Sequence, residues 1–204
     1  MKLTQLVLHE EFDGVSLDER LSWRCPPARW MTGNSALILE PEAGTDYWGK
    51  THYGFTADNG PFLNQEVEGD FILSTRVRFY PANQYDQAGL MVRLSAEHWI
   101  KTCVEYEPHG PSWLGVVVTN YGYSDWSTQP YAGQPNKIEL RIIHKASDFL
   151  VQYLDEKAGQ EWVQLRIAHL FNPQQEPLKV GLFACSPKGS GFKAEFQYLS
   201  LEKT

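Results

Sequence analysis

Along residues 84–126, QYDQAGLMVRLSAEHWIKTCVEYEPHGPSWLGVVVTNYGYSDW, apolar and polar positions alternate in three runs separated by short polar turns. This is the period-two pattern of antiparallel strands with one buried face. With Ala88, Leu90, Val92 and Leu94 directed at a core, Gln87, Gly89, Met91 and Arg93 point the other way. The next run places Ile100, Thr102, Val104 and Tyr106 inward and Trp99, Lys101, Cys103 and Glu105 outward. A turn at residues 95–97 pairs the two strands so that both apolar faces coincide and Gln87, Arg93, Lys101 and Glu105 share the opposite face. A slip of one residue would set Lys101 beside Val92, so burial fixes the register.

The same reading extends over the chain. Residues 6–12 form an edge strand ending at the Asp13-Gly14 turn, and residues 21–25 a short strand stopped by Pro26-Pro27. Trp23 and Trp30 both read as core residues. Residues 35–40 form a strand, and residues 47–55, YWGKTHYGF, alternate with Trp48, Lys50 and His52 on one face. The short apolar patch Phe62-Leu63 precedes a polar stretch, and residues 71–80, FILSTRVRFY, alternate cleanly. After Trp126 the segment STQPYAGQPNK reads as irregular. Residues 137–144 and 148–154 form a hairpin, 161–167 another strand, and 168–177 the one candidate helical turn. Residues 180–185 and 192–201 complete the series, with Phe192, Ala194, Phe196 and Tyr198 on one face of the last. About a dozen strands with frequent turns and no helical periodicity specify an all-β fold, a two-sheet antiparallel β-sandwich or jelly roll.

Composition narrows the function classes. A chain of 204 residues, 42% hydrophobic and 21% charged, suits one domain spanning 1–204. A net charge of −7 with scattered Lys and Arg disfavours nucleic acid and anionic membranes as partners. No apolar run reaches the roughly 20 residues that span a bilayer. The three cysteines, Cys25, Cys103 and Cys185, form no CxxC pattern and read as reduced thiols. With no signal-peptide core in MKLTQLVLHEEFDG, the expectation is a cytoplasmic protein. Seven Trp and ten Tyr are the anomaly of the composition: such rings fill a sandwich core, which accounts for most of them, and they also stack on sugar faces.

The candidate chemistry centres on the mixed-charge face. Glu105 and Glu107, two positions apart on one strand, have roots roughly 6.5–7 Å apart. That spacing permits paired-carboxylate glycoside chemistry. Glu105 would act as base, its pKa depressed by Lys101, with His52 or Glu107 as acid. An ion pair of Glu105 with Lys101 or Arg93 accounts for the same residues without catalysis. The binding alternative draws on Gln87, Arg93, Trp99 and Lys101 at the centre, with Trp48, Tyr85, Asp86, Asp125 and Trp126 around them. Asp46, Asp86, Asn120 and Asp125 lack a clustered calcium-loop pattern, and no phosphate-cradling glycine loop occurs, so no metal or cofactor is expected.

Several strings carry a family resemblance: Trp23-Arg-Cys-Pro-Pro-Ala-Arg-Trp30, PEAGTDYW at 41–48, THYGF at 51–55, DNGPFL at 58–63, YDQAGLMVR at 85–93, HWIK at 98–101, VEYEPHGP at 104–111 and YSDWST at 123–128. The chain resembles the domain-of-unknown-function family labelled regulation of enolase protein 1-like, of the concanavalin A-like lectin/glucanase superfamily. The resemblance covers nearly the whole chain and implies a concanavalin A-like jelly roll with one concave sheet. It brings no activity with it, and the Glu-x-Asp strand signature of laminarinase-like glucanases is absent. Since this fold hosts many chemistries, function has to come from the site. The expectation is a lectin-like protein whose partner is a small carbohydrate or sugar derivative bound on the concave face. A carbohydrate-active enzyme of glycosidase or isomerase type, and an interaction scaffold without a small ligand, are the alternatives. The sequence is silent on oligomeric state.

Overall fold

The computed structural model describes residues 4–131, 137–155 and 159–204. In chain order its strands are β1 (Gln5–Glu10), β2 (Ser22–Arg24), β3 (Arg29–Thr32), β4 (Leu37–Glu40), β5 (Tyr47–Trp48), β6 (Ala57–Asp58), β7 (Phe62–Val67), β8 (Phe71–Tyr80) and β9 (Gln87–Arg93). They continue as β10 (Trp99–Glu105), β11 (Trp113–Asn120), β12 (Tyr123–Pro130), β13 (Lys137–Lys145), β14 (Asp148–Asp155), β15 (Glu161–His169), β16 (Leu178–Cys185) and β17 (Lys193–Lys203). Among the described residues there is no helix. One sheet runs β15-β14-β13-β8-β17-β4-β3, with β1 also on β17, and the other runs β12-β11-β10-β9-β16-β7-β2. All pairings between these strands are antiparallel, which makes the fold a two-sheet jelly-roll sandwich.

The alternation along residues 87–105 sets the register that burial demanded: Trp99 lies opposite Arg93, Lys101 opposite Met91, and Glu105 opposite Gln87. The inward set, Leu90, Val92, Ile100 and Val104, meets Leu73, Val77, Ile142 and Phe196 of the other sheet in the principal core. Burying each such side chain contributes roughly 1.5–3 kcal/mol. A second, smaller core lies on the outer face of the seven-stranded sheet. There Phe62, Met91, Trp99, Cys103, Val117, Phe183 and Cys185 are covered by Tyr47 and Trp48.

Several local expectations are corrected. Residues 47–55 form no long strand: β5 is two residues, and the chain then turns through His52 (φ 64°) and Gly54 (φ 72°), left-handed conformations that no strand contains. Trp30 is 38% exposed because β3 is an edge strand with one face open. Residues 62–67, read as a patch and a polar stretch, form β7, whose Asn64 amide donates to Ser22 and Phe62 carbonyls. β12 continues to Pro130, past the expected end of order at Trp126, while residues 132–136 of that irregular segment lie outside the described residues. Residues 168–177 hold no helical turn. In β17 a register shift between Phe196 and Tyr198 inverts the alternation, so Leu199 and Leu201, and not Tyr198, join the core. Tyr106, expected inward, lies beyond the end of β10 and donates its amide to Asp86.

Candidate functional site

Residues 41–60 leave the sandwich edge, cross the outer face of the seven-stranded sheet, and return to it in β7. Three sets of contacts anchor this covering segment. Arg93 donates from Nη1 and Nη2 to the two oxygens of Asp58 at 2.8 and 2.9 Å, while Arg24 Nη2 donates to Asp58 Oδ2 at 2.8 Å. Gly49 donates its amide to Ser124 Oγ at 2.7 Å, and Lys50 donates its own to the Gly122 carbonyl at 2.9 Å. Gly44 donates its amide to the Ser186 carbonyl at 2.9 Å, while within the segment Asn59 accepts from the Asp46 amide and donates to the Gly44 carbonyl. The segment and the sheet enclose a pocket of about 690 Å³.

The pocket floor is Gln87, Lys101 and Glu105, three of the residues that alternation assigned to this face. Lys101 Nζ donates to Gln87 Oε1 at 2.6 Å and lies 3.6 Å from Asp46 Oδ1. Gln87 Nε2 donates in turn to Asp46 Oδ1 and to the Tyr85 carbonyl. Burial works against the Lys101 ammonium, but the carboxylates of Asp46 and Glu105 outweigh it and hold its pKa above the usual lysine value. Glu105 behaves opposite to the depressed value expected from sequence. Burial, aided by Asp46, overrides Lys101 and lifts its pKa to about 7. Among the described residues its carboxyl accepts only a weak hydrogen bond, from Cys103 Sγ at 3.9 Å.

Aromatic rings form the walls. Trp126 meets Trp48 edge-on at 6.2 Å between centroids, Trp48 meets Tyr53 at 5.2 Å, and Tyr53 meets Phe55 at 6.4 Å, a continuous strip along one side. Tyr85 lines the other side, with Lys188 Nζ 5.8 Å from its ring.

The structure therefore brings Gln87, Lys101, Glu105, Trp48, Tyr85 and Trp126 together, and sends the other candidates elsewhere. Arg93 is committed to Asp58, and Trp99 is 1% exposed, packed edge-on against Tyr47 in the second core. Asp86 is fully buried and braces the turn before β9, accepting from the Ala82 and Asn83 amides and from Ser186 Oγ. Asp125 sits one residue from Trp126 and so on the opposite face of β12, where it pairs with Arg166 at 3.0 Å. The proposed acids are also displaced. Glu107 lies past the end of β10 and accepts from Gln84 Nε2 and the His109 amide, and His52 is exposed in its left-handed turn. The pocket residues that sequence reasoning passed over, Asp46, Tyr53, Phe55, Asp58 and Lys188, come mostly from the covering segment. The signal for them was present: three of the resemblance strings fall within residues 41–63. Among the described residues no group of acidic, histidine or cysteine side chains is placed to hold a metal ion.

Comparison with known proteins agrees with this architecture. The chain is 35% identical over 180 residues to Regulation of enolase protein 1 of Saccharomyces cerevisiae, covering 88% of each chain. A solved structure of a functionally unknown Saccharomyces cerevisiae protein superposes with a TM-score of 0.83 at 34% identity, covering 91% of this chain and 97% of that one. The Bacteroides ovatus xyloglucan-locus protein GH43B shares the fold alone, at a TM-score of 0.74 and 17% identity over 96% of this chain and 39% of its own. Residues 23–204 match the family described as Protein of unknown function (DUF1349), and with that match and its yeast relative the chain belongs to this family.

Proposed function

We propose that the protein is a lectin-like sandwich that binds a small carbohydrate or sugar derivative in the pocket beneath residues 41–60. The observation that carries this reading is the pairing of an aromatic strip, Trp126-Trp48-Tyr53-Phe55, with a hydrogen-bonding floor of Gln87, Lys101 and Glu105. A sugar ring has an apolar face and an equatorial belt of hydroxyls, and the two surfaces complement them. The volume, about 690 Å³, falls within the range of roughly 300–1,000 Å³ for small-molecule sites and suits one or two sugar units. Binding is favoured over turnover because both acids considered for catalysis, Glu107 and His52, lie outside the pocket lining, while the other lining carboxylates, Asp46 and Asp58, are engaged by Lys101 and Gln87 and by Arg24 and Arg93.

Calorimetric titration with D-glucose, D-xylose, cellobiose and xylobiose tests the reading. The xylose probes are included because several structural neighbours carry xylan- or xyloglucan-related names. Saturable binding is expected, weakened about tenfold by Trp126→Ala, which removes one end of the stacking strip. Absence of heat and of any thermal shift across the panel, with a folded protein, would remove the proposal.

A further inference from the structure

The pocket floor holds two ionisable groups that are buried yet incompletely satisfied. Lys101 is 2% exposed, and among the described residues its ammonium donates one hydrogen bond, to Gln87, although it carries three N–H groups. Its contact with Asp46, at 3.6 Å, is an ion contact too long for a hydrogen bond. Glu105 is 7% exposed, and its one hydrogen bond among the described residues is the weak one from Cys103. Both groups line the pocket, so a molecule in it meets their remaining hydrogen-bonding capacity. The two side chains rise from the same face of β10, four positions apart with Cys103 between them, and among the described residues form no direct ion pair, because Lys101 is drawn toward Gln87 and Asp46.

Resting on the carbohydrate reading above, we propose that a neutral sugar hydroxyl fills this gap, accepting from Lys101 and donating to Glu105, a bond that becomes charge-assisted and stronger when Glu105 is ionised. A hydroxyl is both donor and acceptor and satisfies both groups at once. A ligand carboxylate suits Lys101 but needs Glu105 protonated, and a ligand ammonium suits Glu105 but is repelled by Lys101. The floor thus selects neutral over acidic sugars, and the direction of the pH dependence reports which ligand chemistry is present.

The charged and titratable groups facing Glu105 come from every surrounding element. Lys101 and Cys103 share its strand, Asp46 comes from the covering segment, Tyr85 precedes β9, and Cys185 lies on β16. Burial and Asp46 together place the Glu105 titration at about 7, with Lys101 opposing. The ionised fraction of Glu105 therefore rises from about one tenth to about nine tenths between roughly pH 6 and pH 8, and affinity for a neutral sugar rises with it, by up to about tenfold over that interval.

The test is calorimetric titration of D-glucose, D-xylose and their β-1,4-linked disaccharides, with D-glucuronate alongside, into wild type and Glu105→Gln across that range. The expected result is tighter binding of the neutral sugars at the higher pH, weaker binding of glucuronate, and a pH dependence that disappears in Glu105→Gln. Wild-type affinity for neutral sugars that is flat or falls with pH overturns the hydroxyl bridge while leaving the carbohydrate reading in place. So does tighter binding of glucuronate, or a pH dependence that persists in Glu105→Gln. Failure of every probe to bind folded wild-type protein at any pH overturns the carbohydrate reading, and the bridge with it.

Discussion

At the scale of single residues, the side chains that alternation could place are the ones rooted mid-strand. Gln87, Lys101 and Glu105 were legible because period two fixes the face from which a side chain leaves, and the core fixes which face that is. Arg93 leaves the same face, but its long side chain ends on Asp58, a partner from a stretch without periodicity, so its clamping role was not readable. The sign of the Glu105 shift was missed for a related reason: Lys101 is visible from the strand, whereas the burial and the Asp46 charge come from the covering segment. A carboxyl whose folded pKa is raised from 4.5 to about 7 adds stability that is present in full below about 4.5 and is lost as pH rises through about 7. Glu105→Gln keeps a neutral group there and escapes that loss. Denaturant unfolding at about pH 5 and about pH 8 should show the variant gaining on wild type by up to about 3 kcal/mol at the higher pH. An unchanged difference between the two conditions would place the titration elsewhere.

At the scale of elements, strands were easier to read than the segment that crosses them. YWGKTHYGF alternates as convincingly as a real strand, and only its contacts reveal a cover. Gly49 sits so close to the β11–β12 turn that an added Cβ would lie 2.3 Å from the Gly122 carbonyl oxygen. Its φ is not left-handed, so the requirement is for close approach and not for conformational freedom. Gly49→Ala should therefore lift residues 41–60 off the sheet while leaving the inter-sheet core intact. Hydrogen-exchange mass spectrometry is expected to show faster exchange confined to that segment, together with several-fold weaker sugar binding. Unchanged protection there would mean that the close approach does not hold the cover down.

At the scale of the whole molecule, the class of fold followed from strand pattern, but strand order did not, since pairing partners are chosen by packing between distant parts of the chain. β17 shows this best: it pairs with β8 along one side and with β4 and β1 along the other, joining strands from three separate regions. It also supplies Ala194, Phe196, Leu199 and Leu201 to the principal core. A chain stopped at residue 192 is expected to lose cooperative thermal unfolding and to bind hydrophobic dyes; a sharp melting transition in that truncation would contradict the central role of β17.

The placement of β17 also sets a timetable for biosynthesis. β8 is translated more than a hundred residues before the strand that completes its sheet. At roughly 5–20 residues per second, one side of it stays open on the nascent chain for on the order of ten seconds. An unpaired strand edge of that kind invites intermolecular pairing, so the sandwich can close only after residues 193–203 have cleared the ribosomal exit tunnel, and chaperones that shield emerging β-edges should govern its yield.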